Sequence, residues 1–317
     1  MRININRLIS VNIKQYNPLK PLAILLFIIF PAATLAAGNI NVFSCEPEWA
    51  SLAQSIGGDK VSVFSATHAK QNPHFIRARP SLIAKIRKAD LVFCSGGGLE
   101  VGWLPVLIQR ANQSVQPGTP GYLMASDFVP VLEIPTVVDR SHGDIHPEGN
   151  PHVHLNPENI LPVAIELQKR LASIDSSNSE YYGKQLEAFT KKWNTSLKKW
   201  TADIAALENK PVIVHHKSFS YLIDWANMNE IGAIEPKPGL PPTIHHLKSL
   251  LSKVKEHPNS IIIMSPYDTP KGAKWLSNKT GQPVLTLPYT VDGDENSKDL
   301  FQLFSQTVKM LKSTGGA

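Results

Sequence analysis

Apolar positions along this chain recur with two periods. Short β-branched or aromatic runs at 39–44, 60–65, 90–94 and 129–134 predict strands, and amphipathic stretches at 48–56 and 81–88 predict helices between them. Gly57-Gly58 stops the first of these helices and Pro80 helps to start the second. Strands alternating with helices predict a parallel sheet covered on both faces.

A long helical region follows. Residues 157–173 carry Ile160, Val163, Ala164, Leu167 and Leu171 at helical spacing, and the polar stretch 175–178 breaks the pattern. Ser177 and Glu180 have the spacing of a capping box. Beyond them Tyr182, Leu186, Phe189, Trp193, Leu197, Trp200, Ile204 and Leu207 form one unbroken apolar stripe. A helix of about 30 residues would be about 45 Å long, enough to brace two lobes rather than sit within one. The strand–helix rhythm then restarts. Strands are predicted at 211–214, 231–235, 260–264 and 283–287, with helices at 219–226, from Thr243 onward and at 300–311. The predicted fold class is α/β: two lobes, each a small parallel sheet flanked by helices, joined by one long rigid helix. The expected organisation is a signal peptide at 1–37, an N-terminal lobe at 38–175, the linking helix at 176–209 and a C-terminal lobe at 210–317. Ligands of such folds lie beyond the carboxyl ends of the strands, in the crevice between lobes.

Composition narrows the classes. With 317 residues, 42% hydrophobic and 18% charged, the chain is neither disordered nor fibrous. Four basic residues (Arg2, Arg7, Lys14, Lys20) lie in the first 37, which hold no acid; removing them from the net charge of +6 leaves +2 for the body. No basic block is interleaved with aromatics, so nucleic acid is not an expected partner. The apolar run at 22–30 is too short to span a bilayer, and small residues follow it. That pattern predicts a secretory signal cleaved near Ala37, and hence export to the periplasm.

The two cysteines, Cys45 and Cys94, each end a strand-like run. Neighbouring parallel strands would bring their sulfurs within bonding range, and an oxidising compartment would permit a disulfide; two buried thiols are the alternative. Val42-Phe43-Ser44-Cys45 loosely resembles a lipidation site. The apolar run ends well before it, and the segment reads better as the first strand.

Three separate loops deliver imidazole to the predicted cleft. His215 and His216 follow the strand at 211–214, His74 follows the strand at 60–65 within Asn72-Pro73-His74, and His152 follows the run at 129–134 within Asn150-Pro151-His152. The loop after the last strand carries carboxylates. Imidazoles and a carboxylate from four loops suit tetrahedral zinc. No single spacing here is a strong motif, and each histidine alone reads as a polar loop residue. His142, His146, His152 and His154, with Asp144 and Glu148, form a further cluster that could capture borderline cations weakly. His245, His246 and His257 are assigned no role.

Seven segments carry a family resemblance: Cys45-Glu-Pro-Glu-Trp49, Asn72 to Ser81, Gly98-Leu-Glu-Val-Gly-Trp103, Gly149-Asn-Pro-His152, Val214 to Tyr221, Glu235-Pro-Lys-Pro-Gly239 and Leu287-Pro-Tyr-Thr290. The chain resembles the zinc/manganese-type solute-binding proteins of bacterial ABC importers, called cluster A-I, and most resembles the zinc-receptor branch. The resemblance implies metal ligands at His74, His152 and His216, with Asn72 and Asn150 standing where the family has an acid. A histidine at the third position, where manganese receptors place a carboxylate, favours Zn2+ as the captured ion. The fourth ligand is expected from an aspartate after the last strand. Asp292, Asp294, Glu295 and Asp299 compete, with Asp294 and Asp299 preferred. Glu100 and Asp268 are candidates to orient the rings. The implied partners are the membrane permease of an ABC importer and a periplasmic metallochaperone, and the receptor is expected to be monomeric and without enzymatic activity. A zinc hydrolase and a receptor for an organic solute are the competing readings.

Overall fold

Two parallel sheets of the same strand order build the protein in the computed structural model, which describes residues 39–137 and 146–314. The expected signal peptide at 1–37 lies outside the described residues, as do His142 and Asp144. The chain from Gly38 to Ala317 forms one compact unit. Among the described residues no helix is long and apolar enough to cross a membrane.

The first sheet has the order β2-β1-β3-β4, with β1 Ile40–Ser44, β2 Val61–Ser65, β3 Leu91–Cys94 and β4 Tyr122–Met124. Helices α1 (Pro47–Gly57), α2 (Pro80–Ile86) and α3 (Leu104–Ile108) connect these strands. After α4 (Ile160–Ile174) and α5 (Ser179–Ile204), the second sheet repeats the pattern as β6-β5-β7-β8. Its strands are β5 Pro211–Val214, β6 Asn229–Ala233, β7 Ile261–Met264 and β8 Val284–Thr286. Helices α6 (Ser220–Trp225), α7 (Ile244–Glu256), α8 (Lys271–Thr280) and α9 (Leu300–Lys312) accompany it. In both sheets the strand order reverses between the first and third strands, which opens a crevice at their carboxyl ends.

Strands β3 and β7 are apolar at every position because both of their faces are covered. One continuous core runs from Val42, Trp49 and Phe93 through Leu167, Trp193 and Trp200 to Val214, Ile263 and Phe304, so α5 packs against both lobes. A smaller cluster covers the outer face of each sheet. The stripe on α5 is a ladder of rings: Phe189 stacks on Trp193 at 5.3 Å, and Trp193 meets Phe301 and Phe304 of α9 edge-on. Both indole N–H groups on α5 are satisfied, Trp193 donating to the Pro157 carbonyl and Trp200 to the Ser305 hydroxyl. At 26 residues the helix is about 39 Å long, extended at both ends by single 3-10 turns.

Two local expectations fail. The run 129–134 is not a strand; the fourth position in the first sheet belongs to Tyr122–Met124. Pro130 and Pro135 lack the N–H a ladder needs, and Glu133 has a positive φ of 55°. The segment instead crosses to the second lobe, where Leu132 N–H donates to the Tyr221 hydroxyl and the Leu132 carbonyl accepts from Asn150 N–H. The capping box also does not form: Ser177 donates to Asp175, and α5 begins at Ser179 without a side-chain cap.

Candidate metal centre

The Asn72-Pro73-His74 segment forms a single 3-10 turn at the mouth of the first lobe, with proline at its first position and Asn72 as its cap. The Asn72 amide oxygen accepts from His74 N–H at 3.0 Å and lies 2.7 Å from His74 Nδ1. The amide oxygen can only accept, so Nδ1 carries the proton and Nε2 keeps its lone pair. Asn150 does the same for the backbone of His152, and its NH2 group donates to Glu133 and to the Lys217 carbonyl, tying the turn to the second lobe. His216 leaves the carboxyl end of β5, and its Nδ1 lies 2.7 Å from Glu235 Oε2.

These three rings converge. One nitrogen of each of His74, His152 and His216 lies within 4.8 Å of the others. Ring centroids are separated by 5.3 Å (His74–His152), 5.6 Å (His74–His216) and 5.8 Å (His152–His216). His152 is 1% exposed and His74 9%. His152 Nε2 is buried and, among the described residues, has no hydrogen-bond partner, while its Nδ1 lies 2.7 Å from the Tyr289 hydroxyl. A buried nitrogen without a partner is costly unless it serves as a donor to something else. Burial holds His74 and His152 well below the usual imidazole pKa, and the neighbouring rings add to the shift. His74 and His152 therefore offer lone pairs rather than positive charge at neutral pH, as a metal requires.

A fourth imidazole joins them. His146 Nε2 lies 3.1 Å from His74 Nε2, and the two ring centroids are 5.1 Å apart. It also lines the cavity of about 240 Å3 shared by Glu133, Asn150, His152, His216 and Lys217. In the sequence nothing distinguished His146 from the other histidines of its loop.

The expected carboxylates do other work. Asp299 caps α9, accepting from Gln302 N–H at 2.8 Å. Asp294 accepts from the Gln306 side chain and from Asn296 N–H. Asp292 pairs with Lys298, and Glu295 is exposed. Neither Asp294 nor Asp299 belongs to the group of converging donors. The loop after β8 contributes Tyr289 instead. Glu100 and Asp268 do not orient the three rings either: Glu100 accepts from Ser95 and Gly96 N–H, and Asp268 sits 3.4 Å from His215. The orienting groups are Asn72, Tyr289 and Glu235, each contacting a ring nitrogen opposite the cluster.

Outside the cluster, His154 has a structural part. His154 is fully buried, its Nε2 donating to the Tyr289 carbonyl and its Nδ1 lying 3.2 Å from Glu48, which also accepts a short hydrogen bond from Thr290. His154 thus links α1 of the first lobe to the last loop of the second. Cys45 and Cys94 form a disulfide between the carboxyl ends of β1 and β3, so the Cys45 sulfur is not available to a lipid.

A family model described as ZnuA, zinc-uptake complex component A, periplasmic, matches residues 42–314. The chain is similar to the manganese ABC transporter substrate-binding lipoprotein PsaA of Streptococcus pneumoniae, at 26% identity over 278 residues, covering 84% of this chain and 85% of that one. It is likewise similar to the iron ABC transporter substrate-binding lipoprotein MtsA of Streptococcus pyogenes, at 26% identity over 267 residues, covering 81% and 82%. A crystal structure of ZnuA shares the fold, with a TM-score of 0.73 at 22% identity over 86% of this chain and 98% of that one.

Proposed function

The chain belongs to the family of the periplasmic zinc-uptake component A, whose members are substrate-binding receptors of ABC importers and not enzymes, and from that premise we propose that it captures Zn2+ between its lobes and hands it to a membrane permease. His74, His152 and His216 are the ligands in this reading, and His146 supplies the fourth donor. The observation that carries it is the donor set: imidazole nitrogens converge and no carboxylate among the described residues joins them. Relatives named for manganese and iron align over 84% and 81% of this chain, so membership of the family does not choose the ion. The ligands support zinc. Nitrogen-only tetrahedral sites suit zinc, whereas manganese favours carboxylate and water oxygens.

The ligands come from both halves of the molecule. His74 extends from the lobe proposed at 38–175 and His216 from the lobe at 210–317, with the helix at 176–209 as the brace between them. An ion bound at their junction holds the lobes together, and its release requires them to part. The receptor would work as a monomer in the periplasm after removal of residues 1–37, receiving its ion free or from a metallochaperone. The cavity argues against an organic solute, since about 240 Å3 lined by imidazole is below the usual range for small-molecule pockets.

The test is metal retention by protein purified without added metal and dialysed against a moderate chelator. One equivalent of zinc is expected, lost in His216→Ala, with manganese retained far more weakly. Equal retention of manganese, or zinc unaffected by loss of His216, would overturn the reading.

A further inference from the structure

A second group of metal-ligating atoms lies away from the histidines. Cys45 and Cys94 sit at the carboxyl ends of adjacent parallel strands, with Cα atoms 4.8 Å apart, and a Glu100 oxygen lies within 4.8 Å of both sulfurs. All three residues are buried. Glu46, also buried, accepts from the Ser95 hydroxyl while Ser95 N–H donates to Glu100, and the Glu46 Oε1 has no hydrogen-bond partner among the described residues. Neither carboxylate has an ion-pair partner among the described residues. Two buried acids side by side must share a proton or hold a cation, because two bare charges there would be expensive. Glu100 also lines a cavity of about 580 Å3 bounded by Gly96, Gly97 and Met124, which gives a small ion a path to it.

Every newly made chain carries Cys45 and Cys94 as thiols before the disulfide forms. We propose that in this dithiol state Cys45, Cys94 and Glu100, with Glu46 beside them, bind a thiophilic divalent cation such as Zn2+ or Cd2+, so that metal occupancy and disulfide formation exclude one another. Two thiolates and carboxylate oxygen form a donor set that zinc accepts at about 2.3 Å from sulfur and about 2.0–2.2 Å from oxygen. Sulfurs on adjacent strands need only separate to about 3.8 Å to share one tetrahedral ion at that bond length. Binding releases one proton from each thiol. Oxidation by a protein or glutathione disulfide then takes two electrons from the two sulfurs, forms the Cys45–Cys94 bond, frees the cation and, with two protons, leaves the oxidant as two thiols. The site uses no histidine and is independent of the imidazole cluster.

Cobalt reports the two sites separately, because only thiolate ligation gives an intense sulfur-to-metal charge-transfer band in the near ultraviolet. The full chain, reduced with a phosphine and titrated with Co2+ under argon, is expected to show that band, and the disulfide form only the weak visible bands of the imidazole site. Glu100→Gln should weaken the affinity read from the band by at least tenfold, and Cys45→Ser should remove at least half of its intensity. Absence of the band from the reduced chain would overturn the proposal. So would an unchanged affinity in Glu100→Gln, which is also what unfolded thiols would give. Either failure leaves the histidine reading intact.

Discussion

The hydroxyl of Tyr289, carried by the loop after β8, lies 2.7 Å from Nδ1 of His152 and holds that ring with Nε2 turned to the other imidazoles. The same residue accepts from His154 through its carbonyl, and packs against His154 and Tyr267 through its ring. One side chain therefore orients a ligand while its backbone secures the junction between lobes. Tyr289→Phe keeps the packing and removes only the hydroxyl. Zinc affinity should fall by about 10–100-fold, the usual cost of losing a group that orients a ligand. The melting temperature of the metal-free protein should change little. Chelator competition and calorimetry measure the two quantities, and an unchanged affinity would show that the hydroxyl does not position the ring.

His146 and Asp299 make opposite predictions. His146→Ala removes a ring whose Nε2 is 3.1 Å from that of His74, and should accelerate zinc release by about tenfold or more while leaving the fold intact. Asp299→Asn should leave affinity unchanged, because Asp299 caps α9 and asparagine caps equally well. Stopped-flow release into a chelator distinguishes them. A large effect at Asp299 with none at His146 would restore an aspartate ligand from the last loop.

The pH dependence of zinc binding follows from burial. His74 and His152 are held below the ordinary imidazole value of about 6.5, chiefly by burial and further by neighbouring imidazoles. A lowered pKa on a base means that protons compete only at lower pH. Affinity should therefore stay nearly level from pH 8 down to about 6.5 and decline only below it. An isothermal titration series across that range is the check, and a steep loss between pH 8 and 7 would contradict it.

Much of this architecture was legible in the residue pattern, for reasons that also explain the misses. The runs at 39–44, 90–94, 211–214 and 260–264 read as strands because burial demands apolar residues there, and the strands span 40–44, 91–94, 211–214 and 261–264. The apolar stripe from Tyr182 to Leu207, seven of its eight residues in α5, was readable because it packs against both lobes. Tyr122–Met124 was invisible since three residues carry no period, and the proline-broken run at 129–134 drew the assignment instead. His74, His152 and His216 were named through the family resemblance together with the convergence of their loops, since each alone reads as a polar loop residue. Glu235 and Tyr289 could not be named, since their roles rest on contacts 19 and 137 residues away in the chain. The acids of the last loop misled because carboxylates that cap a helix or pair with lysine look, in sequence, like carboxylates that bind metal.

The buried acids beside the disulfide should leave a signature in stability. Burial raises the Glu100 pKa to about 7, and burial together with the charges of Glu100 and Glu48 raises that of Glu46 well above the usual carboxyl range. The folded state therefore binds more protons than the unfolded chain once pH exceeds the unfolded carboxyl value of about 4.3. The stability this contributes is fully present below that value and is lost as pH rises through about 7. In Glu46→Gln a permanent amide donor replaces the shared proton facing Glu100, so the variant should escape that loss. At pH 5 the two proteins should have similar stability, and at pH 8 the variant should be more stable by about 1–3 kcal/mol. Paired urea denaturation curves of the disulfide-bonded protein at the two pH values measure it, and a difference that does not change with pH would mean that Glu46 and Glu100 do not share a proton.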